Sequence, residues 1–473
     1  MIVAEKAVDF KRLEKEIFKL VCEWGCELLK QALVHYDNVL MLERDRTVYR
    51  HKGQRKTAVK TVMGTVEYSR SVYQQKNEDG TKSCVFLLDE ALGKEGSGLM
   101  SGNLAEMVTF AACESSYRSA ARAVSEMTGQ TISHQAAWGV VQELGERVGT
   151  QEEQSAQLAA AHKGVGKLER AVLFEEQDGV WLPLQGKSRK KHGPKREMKL
   201  AIAYDGAKKT GKKRYELTNK VVCANFETAG KFQRRKEGAI AGVYNVDEIE
   251  TRLLNGDGAE WIKSAIADDA THFQLDPYHR NKAVLQYVSD PDARKNIFKL
   301  LYFKQIDLLL DVIAAYSNST MDEKERDNFL TLLTYFKNNK DGLTPCHRQG
   351  LDLPEPPPGI EYRRMGCMES NIFTIIGNRM KGRRALWSIE GGNNLARLLC
   401  LKATKKLSET LQNLTTIALP EKYTEEIRVL TPSKVAKTVG KGYNGFNRAA
   451  PCPATPEYKW LRGIGSLRPL FEN

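Results

Sequence analysis

No stretch of the 473-residue chain approaches the roughly 18 consecutive apolar residues that a membrane-spanning helix needs. The opening segment, "MIVAEKAVDFKRLEKEIFKL", is broken by charge throughout and does not read as a secretory signal, so a cytoplasmic protein is expected. Cysteine is sparse: nine residues, an odd number. That excludes a disulfide framework and fits reduced thiols. Cys22 and Cys26 lie four apart in a helical pattern, but no second pair stands at zinc-site spacing, which argues against a structural zinc. Acidic residues are in deficit too. Against 72 Lys and Arg stand 59 Asp and Glu, a formal net charge of +13, and an excess of that sign points to a polyanionic partner without bearing on the fold.

What is present is a globular composition, 41% hydrophobic and 28% charged, over a length that accommodates two or three domains. The basic residues are clustered. "GKSRKKHGPKREMK" (186–199) carries Lys187, Arg189, Lys190 and Lys191, and "GNRMKGRR" (377–384) carries Arg379, Arg383 and Arg384. Charge runs are ordinarily solvated faces, but these two flank acidic positions of interest, and nucleic acid is the expected partner.

Residues 10–45 have helical spacing, with Leu13, Ile17, Leu20, Val21 and Trp24 as an apolar stripe. A basic, β-branched segment follows around Gly64, with Val59, Val62, Val66 and Tyr68, and predicts a small antiparallel sheet presenting Arg and Lys outward. Between about 115 and 147, one helix (Tyr117, Ala120, Ala121, Val124) closes at Gly129. A second starts at Ser133, with Trp138, Val141 and Leu144 inward. The pair is either an ordinary helical hairpin or a helix-turn-helix. In the second case Ser133, His134 and Gln135 would meet a major groove, with Arg118 and Arg122 on the preceding helix.

From 169 the pattern turns to strands: "RAVLFEEQ" ending at Asp178-Gly179, a second strand with Trp181, "REMKLAIAY" ending at Asp205-Gly206, and "NKVVCANFET". Then come a helix "VDEIETRLL", a helix "AEWIKSAIADD" and a strand "THFQLDPYH", which together predict an α/β fold with a partly antiparallel sheet. About sixty helical residues follow, stopped by the Pro-rich "LDLPEPPPGIEYRR". The helix "MESNIFTIIGNRMKGRR" resumes the mixed region, and the tail beyond 430 lacks periodicity.

Apolar strands ending in Asp-Gly push a carboxylate out at the carboxyl edge of a sheet, although the dipeptide is also an ordinary turn signal. Asp178 and Asp257 stand in such places. Phosphoryl chemistry on nucleic acid uses hard, oxygen-liganded divalent cations, so carboxylates from different elements must converge. Glu369 suits a third position. It opens its helix on the side of Phe373, Ile376 and Met380, where a carboxylate is costly unless paired or metal-bound. Asp276 rivals Asp257 for the second position, and Glu390 rivals Glu369 for the third. His279 reads equally as a histidine at a helix start. Asp205, Asp268 and Asp269 read as turn residues.

In this order, the segments "EQDGVWLPLQG", "KLAIAYDG", "NGDGAEWIKSA", "LDPYHRNKAV", "CMESNIFTIIGNRMKGRRALWS" and "EGGNNLARLL", spanning about 165 to 402, resemble bacterial insertion-sequence transposases. These form a group first catalogued only as an uncharacterised protein family and are related to the Mutator-like and hAT transposases; the amino-terminal region is similar more loosely. The resemblance implies an RNase H-like mixed-sheet core (166–290 and 360–430) with an inserted all-helical subdomain (291–359). A helical and small-β DNA-binding region (1–165) would precede it and an irregular basic tail (431–473) would follow. It places an Asp-Asp-Glu triad on Asp178, Asp257 and Glu369, holding two Mg²⁺ ions, or Mn²⁺ in their place. "DPYH" matches an Asp-x-x-His signature that would make Asp276 and His279 supporting residues. The implied activity is cleavage and strand transfer of DNA at terminal inverted repeats, by a homodimer or larger assembly at the nucleoid. A transposase-derived DNA-binding protein without catalysis and an RNase H-like structure-specific nuclease are the rival readings.

Overall fold

The structure is a computed structural model that describes residues 9–77, 80–93, 100–266, 270–382 and 384–416. Asp268, Asp269, Arg383, the expected end of the core (417–430) and the expected tail (431–473) lie outside the described residues. Two compact units divide between Ser101 and Gly102. Among the described residues, no helix is long and apolar enough to cross a membrane.

The first unit opens with helix α1 (Phe10–Glu43), capped by the Asp9 side chain. Strands β1 (Tyr49–Lys60), β2 (Thr65–Lys76) and β3 (Lys82–Val85) form an antiparallel sheet in that order, and α2 (Leu87–Ala91) follows. Leu33 and Tyr36 of α1 pack on Val59, Val66, Tyr68 and Leu88. Arg50, Lys52, Arg55 and Lys56 of β1 face solvent, as the sequence pattern predicts. The expected inward stripe of α1 is displaced: Ile17, Val21 and Trp24 are exposed. The sheet and α2 bury only the later turns of this 34-residue helix.

The second unit begins with α3 (Gly102–Glu114), α4 (Tyr117–Thr128) and α5 (His134–Ala160). Gly129 ends α4 in a left-handed conformation and Ser133 caps α5, so the break falls where it was expected. One expectation fails here: Trp138 is exposed, and Ala137 takes the inward position with Val141, Leu144 and Val148. Helix α5 continues to Ala160. Gly145 lies against Asn394 and Gly149 against Arg397 so closely that a Cβ at either would overlap them. These bare patches let a later helix lie directly on α5.

The core is a five-stranded mixed sheet. Strand β4 (Val172–Pro183) is followed by α6 (Gly186–His192), β5 (Lys195–Tyr204), the short hairpin β6 (Ala207–Lys209) and β7 (Tyr215–Leu217), then β8 (Val221–Asn225). Helix α7 (Ala229–Ala241), β9 (Thr251–Gly256), α8 (Glu260–Lys263) and β10 (Thr271–Leu275) complete it. The sheet order is β10-β9-β4-β5-β8, with β10, β9 and β4 mutually parallel and β5 antiparallel to both of its neighbours. Three expectations are corrected. Asp178-Gly179 does not end a strand, because Val172, Phe174, Val180 and Leu182 keep one inward phase across the dipeptide and β4 runs straight through. "VDEIETRLL" is a 3₁₀ turn (Val246–Glu248) and then β9, whose Leu253 and Leu254 are both buried because both sheet faces are covered. The strand "THFQLDPYH" stops at Leu275: Asp276 caps α9 (Pro277–Tyr287), whose first residue is a proline.

Helices α9, α10 (Pro291–Tyr302), α11 (Ile306–Ser319) and α12 (Glu323–Asn338) build a core of their own from Val284, Ile297, Leu309, Ile313, Leu332 and Phe336. Beyond the Pro-rich connector, α13 (Met368–Asn371) widens into a π-helix (Ile372–Lys381), and α14 (Ile389–Ala403) and α15 (Leu407–Thr415) close the fold. The π-helix covers one face of β4, and α14 packs on β8 of the same sheet.

The opposite face is pinned by buried ions. Lys236 of α7 pairs with Glu175 of β4 and with Glu237 at 3.0 Å, while Arg252 of β9 reaches Glu175 at 3.0 Å and Glu237 at 2.9 Å. Removing one partner strands a buried charge. Lys236→Met should therefore lower the free energy of unfolding by about 3–5 kcal/mol in urea denaturation; a loss below about 1 kcal/mol would contradict this account.

Candidate functional site

On β4, residues alternate between the sheet's two faces, so Glu176 and Asp178 share the side covered by the π-helix. The parallel register pairs Glu176 with Asn255 and Gln177 with Gly256. Asp257, one residue beyond the last pair, thereby comes to stand beside Asp178. The backbone at Asp257 is fixed by α12: the Tyr335 hydroxyl donates to the Asp257 carbonyl at 2.8 Å. Gly258, at φ +87°, lies so close to Asn339 that no side chain fits there.

Asp178 is nearly buried, and its Oδ1 accepts the Gly179 amide at 2.7 Å. Its Oδ2 lies 3.3 Å from Nε2 of His279, and that same nitrogen is 3.8 Å from Oε1 of Glu369. Asp178, His279 and Glu369 each offer one ligand atom, all within 4.8 Å of one another. Three elements distant in sequence thus deliver side chains to one point: β4, the first turn of α9 and the first turn of α13.

Neither Asp257 nor its alternative Asp276, nor Glu390, belongs to this group. Asp276 is buried and committed as a cap, with Oδ1 accepting the amides of Tyr278 and His279 at 2.8 and 3.2 Å and Oδ2 accepting Asn255 at 2.8 Å. It stands at a helix N-terminus rather than at the end of a strand. Glu390 opens α14, is exposed, and is not in the cluster. Glu369 itself is not on the buried face of its helix. Its side chain is 51% exposed, and Phe373 is exposed with it, whereas Ile376 and Met380 are buried.

Burial is the main influence pushing the Asp257 carboxyl above its ordinary range. The Asp178 charge adds to the shift, while the Ala259 amide, 2.9 Å from Oδ1, opposes it. His279 is also held above its usual value, chiefly by its hydrogen bond to Asp178, against the effect of burial. A further carboxylate, Glu197 of β5, escaped the sequence reading. Its Oε1 occupies the space that a side chain on Gly179 would need, and burial together with Asp257 and Asp178 pushes its carboxyl upward. The glycine beside Asp178 was the available signal, because a strand-interior glycine marks close approach by another group.

The basic segments are partly reunited. Helix α6 exposes Lys187, Arg189, Lys190 and Lys191. It is tied to the stretch after the π-helix by Gln185 N–H to the Trp387 carbonyl (2.9 Å) and Ile389 N–H to Ser188 Oγ (3.0 Å). Arg384 is exposed there. Arg379 is not available with it: its Nε donates to the Ala112 carbonyl at 2.7 Å, and its guanidinium lies over the rings of Tyr117 and Trp387. Arg118, Arg122, Ser133, His134 and Gln135 are exposed around the α4–α5 break.

Residues 3–410 match the model of an uncharacterised protein family, UPF0236. The chain is similar to the "UPF0236 protein in vanSb 3'region" of Streptococcus gallolyticus, at 25% identity over 84% of each chain. It is also similar to UPF0236 proteins of Caldanaerobacter subterraneus subsp. tengcongensis, at 24% identity over 83% of this chain and 78% of theirs; the printed name of one of these joins eleven locus designations.

Asp257 and His279 hold protons more tightly than isolated side chains do. A divalent cation held by these groups would have to displace those protons, so its affinity should rise with pH. Mn²⁺ titration followed by electron paramagnetic resonance between about pH 5.5 and 8.5 should show tightening of up to about tenfold per pH unit for each proton released. His279→Gln should flatten the upper part of that rise. A profile unchanged by the substitution would refute the coupling.

Proposed function

The chain belongs to the uncharacterised protein family UPF0236, and we propose that it is a DNA transposase. It would cleave a phosphodiester at the ends of an insertion sequence and join the freed 3′-hydroxyl to target DNA. The observation that carries this reading is the convergence of Asp178 and Glu369 around His279, with Asp257 set beside Asp178 by the strand register.

Other features support it. The sheet order, with one reversed strand next to an edge, is that expected of an RNase H-like core. The helices α9 to α12 carry their own core between Asp257 and Glu369, as an inserted subdomain would. A relative's name spanning eleven loci of one strain fits an element that copies or moves itself.

The donor set suits Mg²⁺, which takes carboxylate oxygens and retains several waters, and the imidazole extends the fit to Mn²⁺. Asp178 and Glu369 would hold one ion, and Asp178 and Asp257 a second. Bound there, the ions supply neutralisation of phosphodiester charge and activation of the attacking and leaving oxygens. The chain does the rest. His279 lies between two of the acids, its Nε2 3.3 Å from Asp178 Oδ2 and 3.8 Å from Glu369 Oε1, and so positions both carboxylates. The exposed bases of α6, with Arg384, bind backbone phosphates, and the α4–α5 helix-turn-helix presents Arg118, Arg122, Ser133, His134 and Gln135 to the terminal repeat. Two copies bring the two ends together.

A duplex carrying the DNA that borders the coding region should be nicked in the presence of Mg²⁺ or Mn²⁺. Asp178→Asn, Asp257→Asn or Glu369→Gln should each slow nicking on the order of 10²–10³-fold or more, the cost of withdrawing one preorganised charge-stabilising group. Cutting without regard to terminal sequence and without strand joining would indicate a nuclease, and binding without cutting would indicate a DNA-binding protein. Independently, Arg118→Ala and Arg122→Ala should each weaken duplex binding and reduce the slope of log affinity against log salt by about one; an unchanged slope would remove α4 from the DNA interface.

A further inference from the structure

Two residues before Asp178, on the same face of β4, Glu176 is wholly buried. A carboxylate in such a place is costly unless hydrogen bonds meet its charge, and here they do. Its Oε1 accepts the Tyr204 hydroxyl at 2.7 Å and the Cys367 thiol at 3.0 Å. Its Oε2 accepts Nδ2 of Asn255 at 3.0 Å and the amides of Gly366 and Cys367 at 2.9 and 3.0 Å.

The origin of these donors is informative. Gly366 and Cys367 are the residues from which the Glu369 helix departs. Asn255 lies two residues before Asp257 on β9. The second Asn255 Nδ2 hydrogen goes to Asp276 Oδ2, and Asp276 in turn caps the turn that presents His279. Gln274 of β10 donates to Asn255 Oδ1 at 2.8 Å and so fixes the orientation of that amide. One buried chain of hydrogen bonds therefore joins every element that contributes to the Asp178–His279–Glu369 cluster and to Asp257.

We propose that Glu176 is a positioning residue, which sets the Glu369 helix and the Asn255–Asp276 relay against β4 so that the ligands of a divalent cation are held in register. The inference rests on the metal-site reading above. Glu176 does not reach the cluster itself; it acts through the backbone and side chains that it holds. Glutamine cannot substitute, because its amide would set an N–H group against donors where only acceptors are satisfied. Partners of this kind, one layer behind metal ligands, typically account for 10–100-fold in metal affinity.

The test uses the full chain with Mn²⁺ alone as probe, in the wild type, Glu176→Gln and Asp178→Asn. Hydrogen exchange is followed in the segment 362–371. Glu176→Gln should keep a cooperative melt, bind Mn²⁺ about 10–100-fold more weakly, and expose the amides of Gly366 and Cys367 to faster exchange while β5 stays protected. If the wild type does not bind Mn²⁺, or Asp178→Asn binds it equally well, the metal-site reading fails and this inference falls with it. If those two behave as expected but Glu176→Gln binds Mn²⁺ like the wild type, the positioning role is overturned and the metal site stands. Should Glu176→Gln not fold, Cys367→Ala removes one donor from the same carboxylate. A several-fold weaker Mn²⁺ affinity in that variant supports the role, and unchanged affinity overturns it.

Discussion

Parallel pairing of β4 with β9 sets two acidic side chains, Asp178 and Asp257, next to each other at the rim of a largely buried sheet. The Asp178 charge adds to the upward shift of the Asp257 carboxyl, the sign of repulsion between them. The surroundings answer that repulsion in three ways. Amide donors from Gly179 and Ala259 meet one oxygen of each. A histidine is held above its usual pKa beside Asp178. Asp257 is itself pushed toward its neutral form, mainly by burial. Each of these offsets the crowding of acidic groups at the rim of the sheet.

The rest of the core keeps this costly arrangement from relaxing. Consecutive residues of one strand, Glu175 and Glu176, point to opposite layers, and each carries a buried carboxylate that is fully matched. Glu175 meets Lys236 and Arg252 on the α7 side. Glu176 meets uncharged donors on the π-helix side. The first arrangement neutralises charge and ties β4 to β9. The second ties β4 to chain segments that arrive much later in the sequence. Buried polar groups gain this ordering value only when every member is satisfied, which is the case for both carboxylates of this pair.

Part of the architecture is readable from residue pattern because it is set by local chemistry: the cap at Ser133 and the left-handed stop at Gly129. What escaped is what depends on partners distant in sequence. The strand nature of "ETRLLNG" is decided by covering layers on both faces, which erase the alternation that would have revealed it. The passage of β4 through Asp178-Gly179 was legible in the phase of Val180 and Leu182, but the turn propensity of Asp-Gly is the stronger local signal. The inward turn of Arg379 depends on a carbonyl in α3, and the role of Glu176 depends on amides nearly two hundred residues away. The expected set of Asp178, Asp257 and Glu369, with Asp276 and His279 in support, came through resemblance, since spacing alone left Asp276 as an alternative to Asp257 and Glu390 as an alternative to Glu369.

Glu369 differs from the other acidic residues of the site because it stands on a helix. Met368, Ile372, Ile376 and Met380, all buried, follow one another at intervals of four. On an α-helix each such step overshoots a full turn by about 40°, which would spread the four around the cylinder. The wider winding from Ile372 onward counters that drift and keeps them on one stripe against β4. Glu369 and Phe373, also four apart, are consequently displaced together to the solvent side, which is why a 3.6-residue phase wrongly grouped Glu369 with Ile376 and Met380. The half-exposed carboxylate reaches the cluster from its open side, while the sheet and the buried relay hold the other groups. The site therefore has a fixed floor built from strands and one acidic arm whose placement is governed by how its helix is wound and where Glu176 anchors it.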